Sequence, residues 1–244
     1  MKKRALLLSG GVNDLIDHPR YRNDIEAFFR VLTETWGYEE NEVRLHVGRG
    51  SPLRMATARG PLVVQAHSAR HQLVLEGLEW LAELGADDRV FFMATDHGEA
   101  EGISLWGKSN YLTPPRLASI LDKSAATKIL VFGQCFSGVF GLNMPRNSVV
   151  CTACKADESS WPRRAPISGM QARYDEFLYH LVGALAGTYP DEELLDSSVP
   201  VPAPKEVTIA QAFRYAKAMD EWHKTGHETP QLFDPDGLAV QLGL

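Results

Sequence analysis

Hydrophobic positions along this chain follow two different spacings. Short apolar runs occur at Arg4–Ser9 (RALLLS), Arg89–Thr95 (RVFFMAT), Lys128–Gly133 (KILVFG) and Ser148–Ala153 (SVVCTA), and Glu42–Val47 (EVRLHV) alternates. Brief apolar runs bounded by turn formers predict buried strands. Between them the period lengthens to that of a helix. Ile25, Phe28, Phe29, Leu32 and Trp36 share one face of a helix from about Asp24 to Trp36, closed by Gly37. Leu73, Gly77, Leu81 and Leu84 do the same for His71–Leu84, closed by Gly85. Thr113 followed by Pro114 opens a third helix, with Leu117, Ile120 and Leu121 inward. Phe177, Leu178, Leu181, Val182 and Leu185 predict a fourth over Arg173–Ala186, and a Thr208/Gln211 capping box opens a fifth that runs to about Trp222. Ile103–Trp106 reads as a short extra strand, and the proline-rich, acidic stretch 188–206 as a mobile surface linker. Strands alternating with helices predict an α/β fold, with a mostly parallel central sheet and helices on both faces. The length, 244 residues, suits one such domain over residues 1–244.

Composition narrows the function classes. The net charge of -6 and the absence of a Lys/Arg stripe argue against a nucleic-acid partner. No apolar run approaches the roughly 18 residues of a membrane span, and Ala5–Leu8 is shorter than the roughly 7 to 15 apolar residues of a secretion signal. Three cysteines form no even framework, which points to a reducing compartment and a cytoplasmic protein. No cofactor or metal is expected. Cys151 and Cys154 form a C-x-x-C, but His67, His71, His223 and His227 supply no clear ligand spacing, so both cysteines read as core or turn residues. Ser9-Gly10-Gly11 lacks the lysine of a phosphate loop, and His180 reads as a surface residue.

In open α/β sheets chemistry gathers at the carboxyl ends of the strands. RVFFMAT runs into Asp96-His97-Gly98, and KILVFG into Gln134-Cys135-Phe136-Ser137-Gly138. Each residue alone has an ordinary role: histidine as a solvated or core side chain, cysteine as an inert buried one. Together, on neighbouring strand ends, a thiol and an imidazole are the parts of a nucleophilic dyad. Gly98 lets a substrate approach His97, and a turn at Gly138 leaves Cys135 exposed.

These blocks resemble a known family. RVFFMATDHG (Arg89–Gly98) resembles the histidine motif of legumain-type cysteine peptidases, and ILVFGQCFSG (Ile129–Gly138) the cysteine motif of the wider superfamily that includes caspases. VCTACKADESSW (Val150–Trp161) is similar to the legumain segment leading into Glu-Ser-Ser and an aromatic, and Leu6–Leu32 is similar too, with its arginine four before an aspartate. The resemblance spans about Arg4–Tyr179, with two departures. Gly133 stands where a carboxylate usually precedes the cysteine by two, and residues 188–244 have no counterpart.

The resemblance implies a caspase-like three-layer sandwich and a cysteine endopeptidase acting on protein or peptide. In it Cys135 is the nucleophile, His97 the proton shuttle, and the backbone N–H groups of Gly98 and Cys135 the oxyanion donors. It implies a substrate pocket from Arg20, Ser159, Ser160 and Glu176, with Asp175 able to serve in place of Glu176. Such a pocket suits Asn before the scissile bond, then Asp, and disfavours Lys and Arg. Asp96 reads as structural, because neighbours on an extended strand end point opposite ways. A transamidase or peptide ligase with the same dyad, a pseudo-peptidase binding module and a Cys151/Cys154 redox protein are the alternatives.

Overall fold

The computed structural model describes residues 1–107, 110–164 and 170–244. In chain order the elements are β1 (Lys3–Ser9), α1 (Pro19–Arg30), β2 (Val43–Val47), the hairpin β3 (Leu53–Thr57) and β4 (Gly60–Val64), α2 (His71–Ala82) and β5 (Arg89–Ala94). A small antiparallel sheet follows: β6 (Gly98–Glu99), β7 (Gly102–Ser104) and β8 (Tyr111–Leu112). Then come α3 (Pro114–Leu121), β9 (Thr127–Phe132), α4 (Gly138–Leu142), β10 (Ser148–Thr152), α5 (Glu176–Ala186), α6 (Ile209–Met219), α7 (Glu221–Lys224) and β11 (Gln231–Phe233).

The central sheet has the order β11-β10-β9-β5-β1-β2. Every pair in it is parallel except β10 with β11. Successive side chains on a strand point to opposite faces, so each strand serves two cores. Ala5, Leu7, Phe91, Met93, Ile129 and Val131 pack under α1, α5 and α6. Leu6, Leu8, Phe92, Leu130 and Phe132 pack under α2, α3 and α4. The result is the expected three-layer α/β sandwich. Strand order reverses between β1 and β5, which opens a crevice at their carboxyl ends.

Several boundaries differ from the sequence reading. α1 begins at Pro19, five residues before Asp24, because proline at the first turn is preorganised for a helix. Asp24 therefore lies inside the helix, and buried. A π-helical turn, Val31–Thr35, then carries the chain to Trp36. On α2 the inward face is Val74, Leu75, Gly77, Leu78 and Leu81, while Leu73 is exposed. α5 starts at Glu176, not Arg173, because Asp175 is held extended in a bridge to Pro162. The fifth predicted helix breaks at Asp220, whose extended backbone separates α6 from α7. Hairpin β3–β4 and strand β11 were not predicted; β4 contains Pro61 and β11 has only three residues.

Residues 188–206 contain no helix or strand, yet several are anchored. Tyr189 is buried and stacks on Tyr179, its hydroxyl bonds that of Tyr215, and Asp196 N–H donates to the Tyr215 hydroxyl. Among the described residues no helix is long and apolar enough to cross a membrane, and no cluster of His, Cys, Asp and Glu could hold a metal ion.

Candidate active site

Strand register sets the geometry. Ala94 pairs with Phe132, and His97 and Cys135 each lie three residues past that rung. Both residues thus lie just beyond the carboxyl ends of two neighbouring strands. Gly98 shows how closely the strand ends meet: a Cβ there would overlap the Cys135 carbonyl oxygen and come 2.6 Å from Gln134 Cγ.

His97 is half-buried, and its Nε2 lies 3.0 Å from the Ile16 carbonyl oxygen. A carbonyl only accepts, so Nε2 carries the proton and Nδ1 is left with a lone pair. Tyr21 meets the imidazole edge-on at 5.5 Å, and the His18 ring stands 5.4 Å away, its pKa lowered chiefly by burial. Asp96 does not orient the ring. Its Oδ1 accepts the His97 backbone N–H at 2.6 Å and its Oδ2 that of Gly11, so the carboxyl ties β5 to the turn after β1. Burial pushes this carboxyl up to about 8 against those two bonds.

Cys135 is half-buried, with Sγ 3.6 Å from the Ser160 carbonyl oxygen and 3.9 Å from Ser160 Oγ. Thiol and imidazole make no hydrogen bond to each other. The sharp turn that presents the thiol is at Phe136, φ 57°, and not at Gly138. A left-handed non-glycine residue costs about 1–3 kcal/mol, and the Phe136 N–H bond to the Glu158 carbonyl at 2.8 Å helps hold it. Gly138 instead packs against the 155–156 turn, where a Cβ would lie 2.5 Å from Ala156 N.

Gly98 pairs with Ile103 across β6–β7, next to a rung where Ser104 N–H bonds the His97 carbonyl. Antiparallel rungs alternate, so the Gly98 pair is a non-hydrogen-bonded one and its N–H points away from β7.

A cluster of polar side chains adjoins Tyr21, whose ring meets that of His97. Arg20 Nε donates to Asp175 Oδ1 at 2.9 Å and Nη2 to the Tyr21 hydroxyl at 2.9 Å. Thr95 Oγ1 bridges Asp175 Oδ2 at 2.8 Å and Asp24 Oδ2 at 3.1 Å, and Asp175 N–H reaches Asp24 Oδ1. Burial and the neighbouring Asp175 charge hold Asp24 protonated, its pKa well above the carboxylate range. Arg20, Asp175 and Ser160 of the expected residues are brought to this region, and Ser159 is exposed beside Ser160. Glu176 is turned away. Its Oε1 faces His180 Nε2 at 3.2 Å and accepts Glu221 N–H at 3.2 Å, which lowers its pKa despite burial. Where the resemblance leads one to expect a carboxylate, a Cβ on Gly133 would sit 2.7 Å from Leu178 Cγ, so leucine fills that space.

His180 is buried, not at the surface: its Nδ1 meets the Tyr189 hydroxyl. Cys151 and Cys154 are buried free thiols, both pushed up by burial, Cys154 to about 12. Sequence reasoning missed Asp24, Thr95 and the Ile16 carbonyl. Asp24 did leave a signal, a carboxylate on the apolar stripe Tyr21, Ile25, Phe28, but a carbonyl leaves none.

Residues 69–231, more than half of the chain, match the model of the Peptidase C13 family. Among solved structures, caspase-1 from Spodoptera frugiperda is similar in fold at a TM-score of 0.54 and 12% identity, covering 95% of this chain and 85% of that one. A search of curated proteins finds no match.

Proposed function

The chain belongs to the Peptidase C13 family, a family of cysteine peptidases, and on that premise we propose that it is an endopeptidase working through Cys135 and His97. The observation that carries this is the common strand-end position: His97 and Cys135 each follow the last β5–β9 rung by three residues, and Gly98 packs against the Cys135 carbonyl. Free cysteine is only a few per cent thiolate at neutral pH, so a base must take its proton. His97 Nδ1 is that base, since the Ile16 carbonyl holds the proton on Nε2. Cys135 Sγ attacks the substrate carbonyl carbon, and the oxyanion is met by the N–H groups of Gly98 and Cys135. A donor of this kind contributes about 10²–10³ in rate. His97 then protonates the departing amine, leaving a thioester. Water, deprotonated by His97, adds to the thioester and releases the acid and the thiol.

The pocket of Arg20, Asp175, Ser159 and Ser160 takes the residue before the scissile bond. Arg20, held by Asp175 through Nε, keeps further guanidinium N–H donors, and the Ser159 and Ser160 hydroxyls can both donate and accept, which suits the amide of Asn. Asp fits once a carboxyl is protonated. A Lys or Arg would meet Arg20 and, near Gly133, the apolar Leu178.

The test is turnover of fluorogenic peptides that differ only at this residue, by wild type, Cys135→Ala and His97→Ala. Cleavage after Asn, lost in both variants while circular dichroism is unchanged, is the expected outcome. Equal turnover by Cys135→Ala would overturn the dyad; preference for Lys or Arg would overturn the pocket alone.

A further inference from the structure

The segment that carries Ser159 and Ser160 to the thiol is held from outside by residues 220–229. Glu228 Oε2 accepts Trp161 N–H at 2.7 Å, Trp222 Nε1 donates to the Pro162 carbonyl at 2.9 Å, and Thr229 Oγ1 donates to Glu158 Oε1 at 3.0 Å. Trp161 and Trp222 stack with centroids 5.1 Å apart.

At the root of this grip are two carboxyl groups with essentially no exposed surface, Asp220 and Glu228. Asp220 Oδ1 caps α7 through His223 N–H at 2.8 Å. That leaves Asp220 Oδ2 and Glu228 Oε1, both buried, each without a donor among the described residues. Buried acceptors are almost always satisfied, and two carboxylates without a proton would also repel each other.

We propose that Asp220 Oδ2 and Glu228 Oε1 share one proton, and that this acid–carboxylate bond is the clamp that positions the Ser159–Ser160 segment against Cys135. One proton supplies the donor that both orphaned oxygens lack. Among the neighbouring groups, Glu176 and Asp175 at the start of α5 raise its affinity for a proton, and His180 and the N–H bonds from His223 and Trp161 lower it. Burial, and then the bond to Asp220, raise the Glu228 carboxyl well above the usual carboxylate range, which favours keeping that proton. Movement of Trp161 N–H is passed directly to the Ser160 carbonyl, 3.6 Å from Sγ. Asp220 and Glu228 are positioning residues, and that role rests on the pocket reading above; the shared proton does not.

Three variants separate the parts. In Glu228→Gln the amide N–H donates to Asp220 and the amide oxygen accepts from Trp161; Glu228→Ala removes both bonds, and Glu228→Asp, one methylene short, replaces it should it fail to fold. Infrared difference spectra at pH 8, wild type minus Glu228→Gln, should show one protonated-carboxyl band lost. Alkylation of Cys135 by iodoacetamide, followed by mass spectrometry with buried Cys151 as reference, should change at least about fivefold in Glu228→Ala and less than about twofold in Glu228→Gln. With an Asn peptide, Glu228→Ala should raise KM about tenfold at nearly unchanged kcat, and Glu228→Gln should not. No lost band, or Glu228→Gln matching Glu228→Ala, overturns the clamp. Wild type that cuts no peptide but keeps the band and the labelling pattern supports the clamp and overturns the endopeptidase reading.

Discussion

Gly98→Ala tests the closeness of the two strand ends. The added methyl would lie within the envelope of the Cys135 carbonyl oxygen, 2.6 Å from Gln134 Cγ and 3.1 Å from the Cys135 carbonyl carbon. The carbonyl is backbone, three residues past the last β5–β9 rung, so a rotamer change cannot relieve the overlap. Overpacking of this kind costs about 1–3 kcal/mol, and each kcal/mol lowers the melting temperature of a domain this size by about 2–4 °C. Relief by moving β6 shifts the proposed oxyanion donor, and a shift of about 1 Å costs about 10²-fold in rate. The expected result is a fall in kcat/KM of at least about 10²-fold, mostly in kcat, because the oxyanion exists only beyond the ground state. Gly85→Ala is the control, since a Cβ there meets nothing nearer than Asp88 Oδ2 at 3.9 Å. Peptide hydrolysis and thermal melts of both proteins decide it. A Gly98→Ala enzyme within threefold of wild type would refute the argument from strand-end contact.

Asp24→Asn should become more stable relative to wild type as pH rises. Asp24 holds its proton above the ordinary carboxylate value, so the native state binds more protons than the unfolded chain and loses stability with increasing pH. The variant escapes this by about 1.4 kcal/mol per pH unit while Asp24 stays protonated, and a flat difference in melting temperature between pH 4.5 and 7 would contradict it. Tyr215→Phe should speed proteolysis within residues 188–206 about fivefold, because Asp196 N–H loses a partner worth about 1 kcal/mol; limited trypsin or elastase digestion read by mass spectrometry measures this, and an unchanged rate would mean the anchor is idle. Arg20→Ala should cost about 3–5 kcal/mol, since Asp175 is left buried beside Asp24 without its cation, and denaturant titration reads it; a loss below about 1 kcal/mol would show the pair is solvated.

The layers were legible because the sheet strands are continuous apolar runs and most helices carry one stripe. What escaped had no such contrast. β11 is three residues of which none is fully buried, and β4 carries a proline on an edge. The start of α1 was missed because the apolar stripe was followed back only to Ile25, although Tyr21 lies one turn earlier and Pro19 is a start signal. His97 and Cys135 could be picked out because strand ends are places where chemistry collects; the register that aligns β5 with β9 could not, since parallel register is set by packing and not by spacing. The pairing of Arg20 with Asp175 was legible only by likeness. Asp175 and Glu176 are adjacent in sequence, and the backbone bridge from Asp175 to Pro162 decides which carboxylate faces Arg20.

The hydrogen bonds that make the pocket span long stretches of chain: 155 residues between Arg20 and Asp175, and 60, 67 and 71 residues between the 158–162 segment and its holders. Thiol and imidazole, by contrast, sit on adjacent strands that can pair much earlier. During synthesis a ribosome-bound chain therefore holds Cys135 and His97 before residues 220–229 emerge to fix the segment beside them. Contacts this distant in sequence form late in folding. On the proposed reading that order of assembly is a safeguard, since the half-made chain has its thiol and imidazole but not yet the contacts that fix the segment meant to grip a substrate.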